Sequence, residues 1–162
     1  MEPARPSGQR PASDPVLDDV NRTLIELLQQ DGRRSYASMA AAVGLSEAAV
    51  RQRVQRLLDS GIMQIVAVTD PLRLGFRRQA MIGVRVSGDA RAVADALARL
   101  PEVDYVVLTA GSFDLIVELV AEDDEHLLSV INDQIRALPQ VRETETFVYL
   151  RLVKQTYAWG AR

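Results

Sequence analysis

The chain reads as an α+β protein, an N-terminal winged helix-turn-helix followed by a ferredoxin-like βαββαβ domain. Three observations predict this. Between Tyr36 and Gly61, YASMAAAVGLSEAAVRQRVQRLLDSG places Ala40 four residues before Gly44 and Val50 six after it. That spacing lets two helices cross closely at a small residue, turn at a glycine and lock through an aliphatic side chain. Further on, Leu100-Pro101-Glu102-Val103 recurs as Leu138-Pro139-Gln140-Val141, each copy following a helical pattern and preceding a strand pattern, as duplicated βαβ halves would. Charge divides the same way. Arg33 to Arg56 holds five Arg and one acid, net +4, whereas Gln79 to Leu150 holds five Arg against thirteen acids, net −8.

The elements follow in order. Residues 1–14 belong to a stretch whose first fifteen positions hold four of the seven prolines, and they read as a disordered tail rather than a secretory signal. Residues 15–61 form the helix-turn-helix domain. Its first helix carries Leu17, Val20, Leu24, Leu27 and Leu28 at helical spacing, with Asp18 as its cap and Gly32 past its end. A short second helix spans Tyr36 to Val43, and a third starts after Ser46 and stops near Ser60-Gly61. Residues 62–78 read as a strand or wing leading into a hinge, because Ile62, Ile65, Val66 and Val68 are β-branched and Asp70-Pro71 with Gly75 punctuate the end. Residues 79–153 then give strand QAMIGVRV, helix GDARAVADALARL, strands PEVDYVVLTA and SFDLIVELV, helix EDDEHLLSVINDQIRAL and strand PQVRETETFVYLRLV; 154–162 is a C-terminal tail.

Composition bounds the function. At 162 residues, 48% hydrophobic and 25% charged, the chain can bury ordinary cores. It has no cysteine, which fits a reducing, cytoplasmic setting, and no apolar run of the roughly 20 residues a membrane span needs. The strand patterns VDYVVL, LIVELV and FVYLRLV are apolar on both faces, yet two helices cover only one. A second copy of the domain is the simplest cover, which predicts a homodimer whose two helix-turn-helix motifs address one DNA site.

Taken together, LDDVNRTLIELLQQDGR, MAAAVGLSEAAVRQRVQRLLDSGI and TAGSFDLIVEL make the chain resemble the Lrp/AsnC (leucine-responsive, feast/famine) family from about Pro15 to Trp159. The resemblance implies a winged helix-turn-helix joined by a strand and hinge to a ferredoxin-like sensing domain that dimerises and assembles further, up to octamers. Two positions depart from the family pattern: Asn21 stands where an acid is usual, and Ala49 replaces the Glu or Gln that would close a capping box at the third helix.

With Val50, Val54, Leu57 and Leu58 inward, the third helix presents Ala48, Gln52, Gln55 and Arg56 outward, with Arg51 and Arg53 on the flanks. Gln52 can read a base edge, Ala48 and Ala49 can meet a thymine methyl, and the arginines can take phosphate or guanine. Ser46 at the helix start can hold a phosphate, and Arg33 and Arg34 are further phosphate candidates. Arg51 and Arg56 are the leading pair. The partner is thus double-stranded DNA.

In the resembled family the GxxD loop, here Gly111-Ser112-Phe113-Asp114, lines an amino-acid effector pocket with parts of the second helix and last strand. Carried over, this implies Gly111, Ser112, Phe113 and Asp114 at the effector's polar end, and Leu127, Ile131, Thr146 and Val148 at its side chain. His126, the only histidine, lies in the run EDDEH and reads as a solvated helix start, not a metal ligand; Tyr157 and Trp159 read as packing residues. No cofactor, metal or catalytic residue is expected. The rivals are an effector-blind architectural DNA-binding protein and a ferredoxin-like dimeric enzyme, the latter disfavoured by the lack of cysteine and of a Gly-rich phosphate loop.

Overall fold

The computed structural model describes residues 17–157, 160 and 161. The Pro-rich N-terminal stretch and Trp159, and the expectations attached to them, lie outside these residues. Two compact units divide the chain. One runs to Val68 and includes the end of the chain from Lys154; the other is Thr69–Val153.

In the first unit, capping chemistry sets the helix boundaries. α1 (Asp19–Gln30), α2 (Tyr36–Val43) and α3 (Glu47–Asp59) are preceded by Asp18, Ser35 and Ser46. Their side-chain oxygens accept the N–H groups of Asn21 at 2.7 Å, Ser38 at 3.2 Å and Ala49 at 3.2 Å. Each such cap is worth about 1 kcal/mol to a helix too short to persist alone. Gly44 ends α2 in the left-handed region at φ 68°, a conformation a Cβ would resist, and the chain turns there into α3. Leu24, Leu28, Met39, Ala40, Val50 and Val54 form the core, with Tyr36, Val43 and Leu58 packed around it.

A polar clasp supplements that core. The Arg53 guanidinium donates to Asp18 Oδ2 at 2.7 Å and to Asn21 Oδ1 at 3.0 Å, tying α3 to the start of α1. The Asn21 backbone N–H, and then Arg53, hold the Asp18 carboxyl below its usual value of 3.8. A depressed carboxylate stabilises the fold above its unfolded pKa, and the contribution is lost as pH falls through the folded value. Asp18→Asn keeps the cap and removes the charge. The wild type should therefore melt above Asp18→Asn near neutrality, and the gap should close on acidification below 3.8. A gap that persists in acid would assign the difference to something other than this carboxylate.

Residues 62–70 depart from expectation, for they form no strand. Ile65, Val66 and Val68 are 49%, 68% and 57% exposed and pair with nothing that would make a ladder. β-Branching favours a pleated surface only where a neighbouring strand supplies hydrogen bonds and cross-strand contacts. The segment ends in a single 3-10 turn, Pro71–Leu74, capped by Asp70 and closed by Gly75 at φ 107°.

The second unit runs β1 (Arg78–Val86), α4 (Ala90–Leu97), β2 (Val103–Leu108), β3 (Leu115–Ala121), α5 (Asp124–Ser129), β4 (Val141–Val148). The strands form one antiparallel sheet in the order β2-β3-β1-β4, the ferredoxin-like arrangement. The two Leu-Pro repeats make the same turn, Val103 N–H to Leu100 O at 3.1 Å and Val141 N–H to Leu138 O at 2.9 Å. Ala80, Ile82 and Val84 of β1 and Leu115, Val117, Leu119 and Ala121 of β3 face Val93, Leu97, Leu127, Val130 and Ile135 in one core. α5 continues as a π-helical segment, Val130–Ile135, where Arg136 N–H reaches back to Ile131 O at 2.9 Å. The extra residue in that turn keeps Val130, Ile131 and Ile135 all against the core. β4 stops at Val148 rather than Val153, because β1 supplies no partner beyond Tyr149; Leu150 and Val153 are 98% and 86% exposed.

The second sheet face is less apolar than strand patterns apolar on both faces suggest. Met81, Gly83, Ile116, Val107 and Phe147 share it with Gln79, Arg85, Glu118, Glu143 and Glu145. Gln79 donates to Glu118 at 2.9 Å and Arg85 to Glu143 at 2.7 Å. A bulge between Val103 and Tyr105 inserts Asp104 beside them. Burial and Glu118 raise the Asp104 carboxyl, and burial, then Glu118, push the Tyr149 hydroxyl up to about 12.

Candidate nucleic-acid interface and effector loop

The outward arc of α3 is built as the helical spacing predicts. Val50, Val54 and Leu57 are buried, whereas Ala48, Arg51, Gln52, Gln55 and Arg56 are exposed and Ala49 is half-buried. Among the described residues the Gln52 side-chain amide makes no hydrogen bond, while that of Gln55 donates to Asp59 at 2.8 Å. Among the described residues Arg56 makes one long hydrogen bond, to the Gln52 carbonyl at 3.4 Å, and lies near enough to Asp18 to help lower its carboxyl. The Ser46 hydroxyl accepts the Ala49 N–H and keeps its own proton to donate. In the turn before α2, Arg33 is exposed and Arg34 rests on the Ser38 hydroxyl at 3.3 Å.

Arg53 and Arg51 hold positions that helical spacing alone does not reveal. Arg53 is half-buried and committed to Asp18 and Asn21, which sets it apart from the exposed cations. Arg51 donates to Glu47 at 3.0 Å and lies over the Tyr36 ring, 4.6 Å from its centroid. No signal in the α3 sequence points to Tyr36, since the contact crosses from a neighbouring helix.

At the other candidate site, Gly111-Ser112-Phe113-Asp114 joins β2 to β3. Asp114 caps the sheet. Its backbone N–H donates to Val84 O at 3.0 Å and its Oδ2 accepts the Val86 N–H at 2.8 Å, carrying the β1–β3 ladder one step past its last backbone pair. Phe113 lies flat against β1 over Gly83, where an added Cβ would meet three ring atoms at 2.7 Å. Phe147 meets the ring edge-on at 6.5 Å, and Arg85, 5.3 Å from its centroid, also donates to the Ser112 carbonyl at 2.6 Å. Gly111 and Ser112 are exposed.

Within one copy the eight effector candidates do not converge. Leu127 and Ile131 are 7% and 9% exposed and belong to the sheet core. Thr146 and Val148 lie on β4 opposite Ile82 and Ala80, towards the end of the sheet away from the loop. A groove of about 360 Å³ also lies at that far end, lined by Leu74, Phe76, Arg77, Glu122 and Asp123 among others.

His126 departs from the solvated helix start expected of it. Its Nδ1 accepts the Glu122 N–H at 3.3 Å, which leaves the proton on Nε2 to donate to Glu102 at 3.2 Å, and the imidazole is 30% exposed. The pair ties α5 to the turn before β2. Tyr157, read as a packing residue, is 54% exposed, and its hydroxyl accepts from Gln155 at 2.6 Å. Among the described residues no three His, Asp or Glu gather to hold a metal ion, and no helix is long and apolar enough to cross a membrane.

Comparison with known proteins agrees with both units. Residues 17–58 match an AsnC-type helix-turn-helix domain, and residues 76–162 match a C-terminal dimeric alpha+beta barrel domain of the AsnC type. The HTH-type transcriptional regulator FL11 of Pyrococcus furiosus is 32% identical over 87% of this chain and 94% of its own. The proline dehydrogenase transcriptional activator of Rhizobium radiobacter is 34% identical over 86% of this chain and 93% of its own. Among solved structures, the feast or famine regulatory protein of M. tuberculosis complexed with L-methionine superposes with a TM-score of 0.77 at 25% identity, covering 86% of this chain and 95% of that one. The first two relatives are named as regulators of transcription and the third as a regulatory protein; none is named as an enzyme. The chain belongs to the AsnC family of transcriptional regulators and binds DNA through its helix-turn-helix.

Proposed function

We propose that the chain is a one-component regulator in which α3 enters the major groove, two copies pair through the open sheet face, and an amino acid or related metabolite binds beside the Gly111–Asp114 loop to change the spacing of the paired α3 helices. One observation carries the DNA half. Exposed Ala48, Arg51, Gln52 and Arg56 share an arc of a helix whose opposite side is buried, inside a window of net +4. The binding site should be a pseudo-palindrome with half-sites about 34 Å apart or a multiple of that.

Support for the effector comes from the exposure of Gly111 and Ser112 in the loop, and from the L-methionine named in the M. tuberculosis relative. Because the eight candidates are dispersed in one copy, the pocket is assembled between copies. The occupied Asp114 carboxylate favours a second reading, an effector-blind architectural protein, since that oxygen already serves the fold. A thermal-shift screen with the twenty amino acids separates the two. Stabilisation by a few supports the sensor, whereas none at concentrations far above metabolite levels supports the architectural reading.

For the DNA half, Arg56→Ala should weaken binding to all sequences and lower the slope of log K against log salt by about 0.9, as loss of one phosphate contact does. An unchanged slope removes Arg56 from the interface.

A further inference from the structure

We infer that Arg51 is a base-reading residue, and that Tyr36 is the positioning residue that makes it one by holding its guanidinium flat while Glu47 screens it from phosphate. This rests on the proposed entry of α3 into the major groove. Tyr36 is the first residue of α2 and packs against the buried core of the first unit, so its ring is fixed. Arg51 lies over that ring at 4.6 Å and joins Glu47, one turn earlier on α3, at 3.0 Å.

The pair adds little to stability, because the Arg51 and Glu47 side chains are 61% and 51% exposed. Its consequence is orientation. A ring beneath the guanidinium takes up one face and leaves the in-plane N–H groups free. Glu47 engages Nη2, while Nε and Nη1 face no acceptor of the chain among the described residues. A carboxylate at that distance repels an approaching phosphate and leaves contact with neutral acceptors, such as O6 and N7 of guanine, unopposed. Among the described residues Arg56 has neither a ring beneath it nor a carboxylate hydrogen-bonded to it, and it remains the phosphate-type cation.

The test uses the full chain, a short duplex recovered from a randomised pool with the wild type, and a random-sequence duplex of equal length, each titrated across salt. Arg51→Ala and Tyr36→Leu should each weaken the selected duplex about tenfold, leave the random duplex nearly unaffected and keep the salt slope. Tyr36→Phe, which retains the ring, should restore wild-type selectivity. Glu47→Gln, on the surface and harmless to folding, should tighten the random duplex and steepen the slope. That variant keeps the inference testable even if Tyr36→Leu unfolds.

Equal losses on both duplexes in Arg51→Ala, with a slope lowered by about 0.9, would make Arg51 a phosphate contact and overturn the inference. Wild-type selectivity in a folded Tyr36→Leu, or an unchanged slope in Glu47→Gln, would overturn it as well. A wild type that binds neither duplex would instead sink the DNA reading on which the inference stands.

Discussion

Gly83→Val should lower the melting midpoint of the second unit by about 5–15 °C, weaken self-association and abolish any effector response. The cause is the approach of Phe113. Its Cγ, Cδ2 and Cε2 lie 2.7 Å from where a Cβ at position 83 would stand, and a ring met face-on cannot yield by a small rotation. Valine therefore evicts the ring from the sheet. The edge-on contact with Phe147 and the stacking of Arg85 go with it, so the Gly111–Asp114 loop keeps its hydrogen bonds to β1 and to Thr109. Calorimetry and sedimentation of the variant provide the measurement. Phe113→Leu in the same chain should recover part of the loss, since a smaller side chain leaves room above residue 83. An unshifted midpoint in Gly83→Val would show that the ring does not rest there in solution.

Leu24→Ala should have the larger effect on DNA binding, although Leu24 touches no DNA. It is fully buried between the three helices and shares the core with Met39, Val50 and Val54. Truncating a buried leucine costs about 2–5 kcal/mol, and a three-helix unit of this size has little more than that in total. The first unit should unfold at ambient temperature and lose DNA affinity entirely, while the sheet unit melts where it does in the wild type. A variant with near-normal affinity would mean that other contacts support the helices. Set beside Arg56→Ala, which removes a charge without touching the core, the two results separate loss of fold from loss of contact.

Local signals carried the helical unit far. Asp18 and Ser46 mark helix starts because a short polar side chain can satisfy an orphan N–H three residues on, a decision made within one turn of chain, and Ser35 does the same for α2 in the structure. The Leu-Pro repeat likewise announced two equivalent turns, whereas which face of β1 and β3 forms the sheet core was not read from strands that look apolar on both faces. The β-branched run from Ile62 to Val68 misled, since a strand exists only with a partner and the sequence does not state whether one is present. The length of β4 was overread for the same reason.

The candidate sites show the division most clearly. Helical periodicity was enough to name Ala48, Gln52 and Arg56 as outward and Val54 as inward, because 3.6 residues per turn is a property of the backbone. It could not tell Arg53, clasped by Asp18 and Asn21, from Arg51, laid over Tyr36, because those partners arrive from other helices. Nor could it show that Asp114 completes a ladder, that Phe113 needs Gly83 bare, or that His126 holds Glu102. Fold class, family and the direction of the recognition helix were thus properties of short-range pattern. The work each charged side chain does was decided only by tertiary packing, because electrostatic partners are chosen by distance in space and the chain order does not encode that distance.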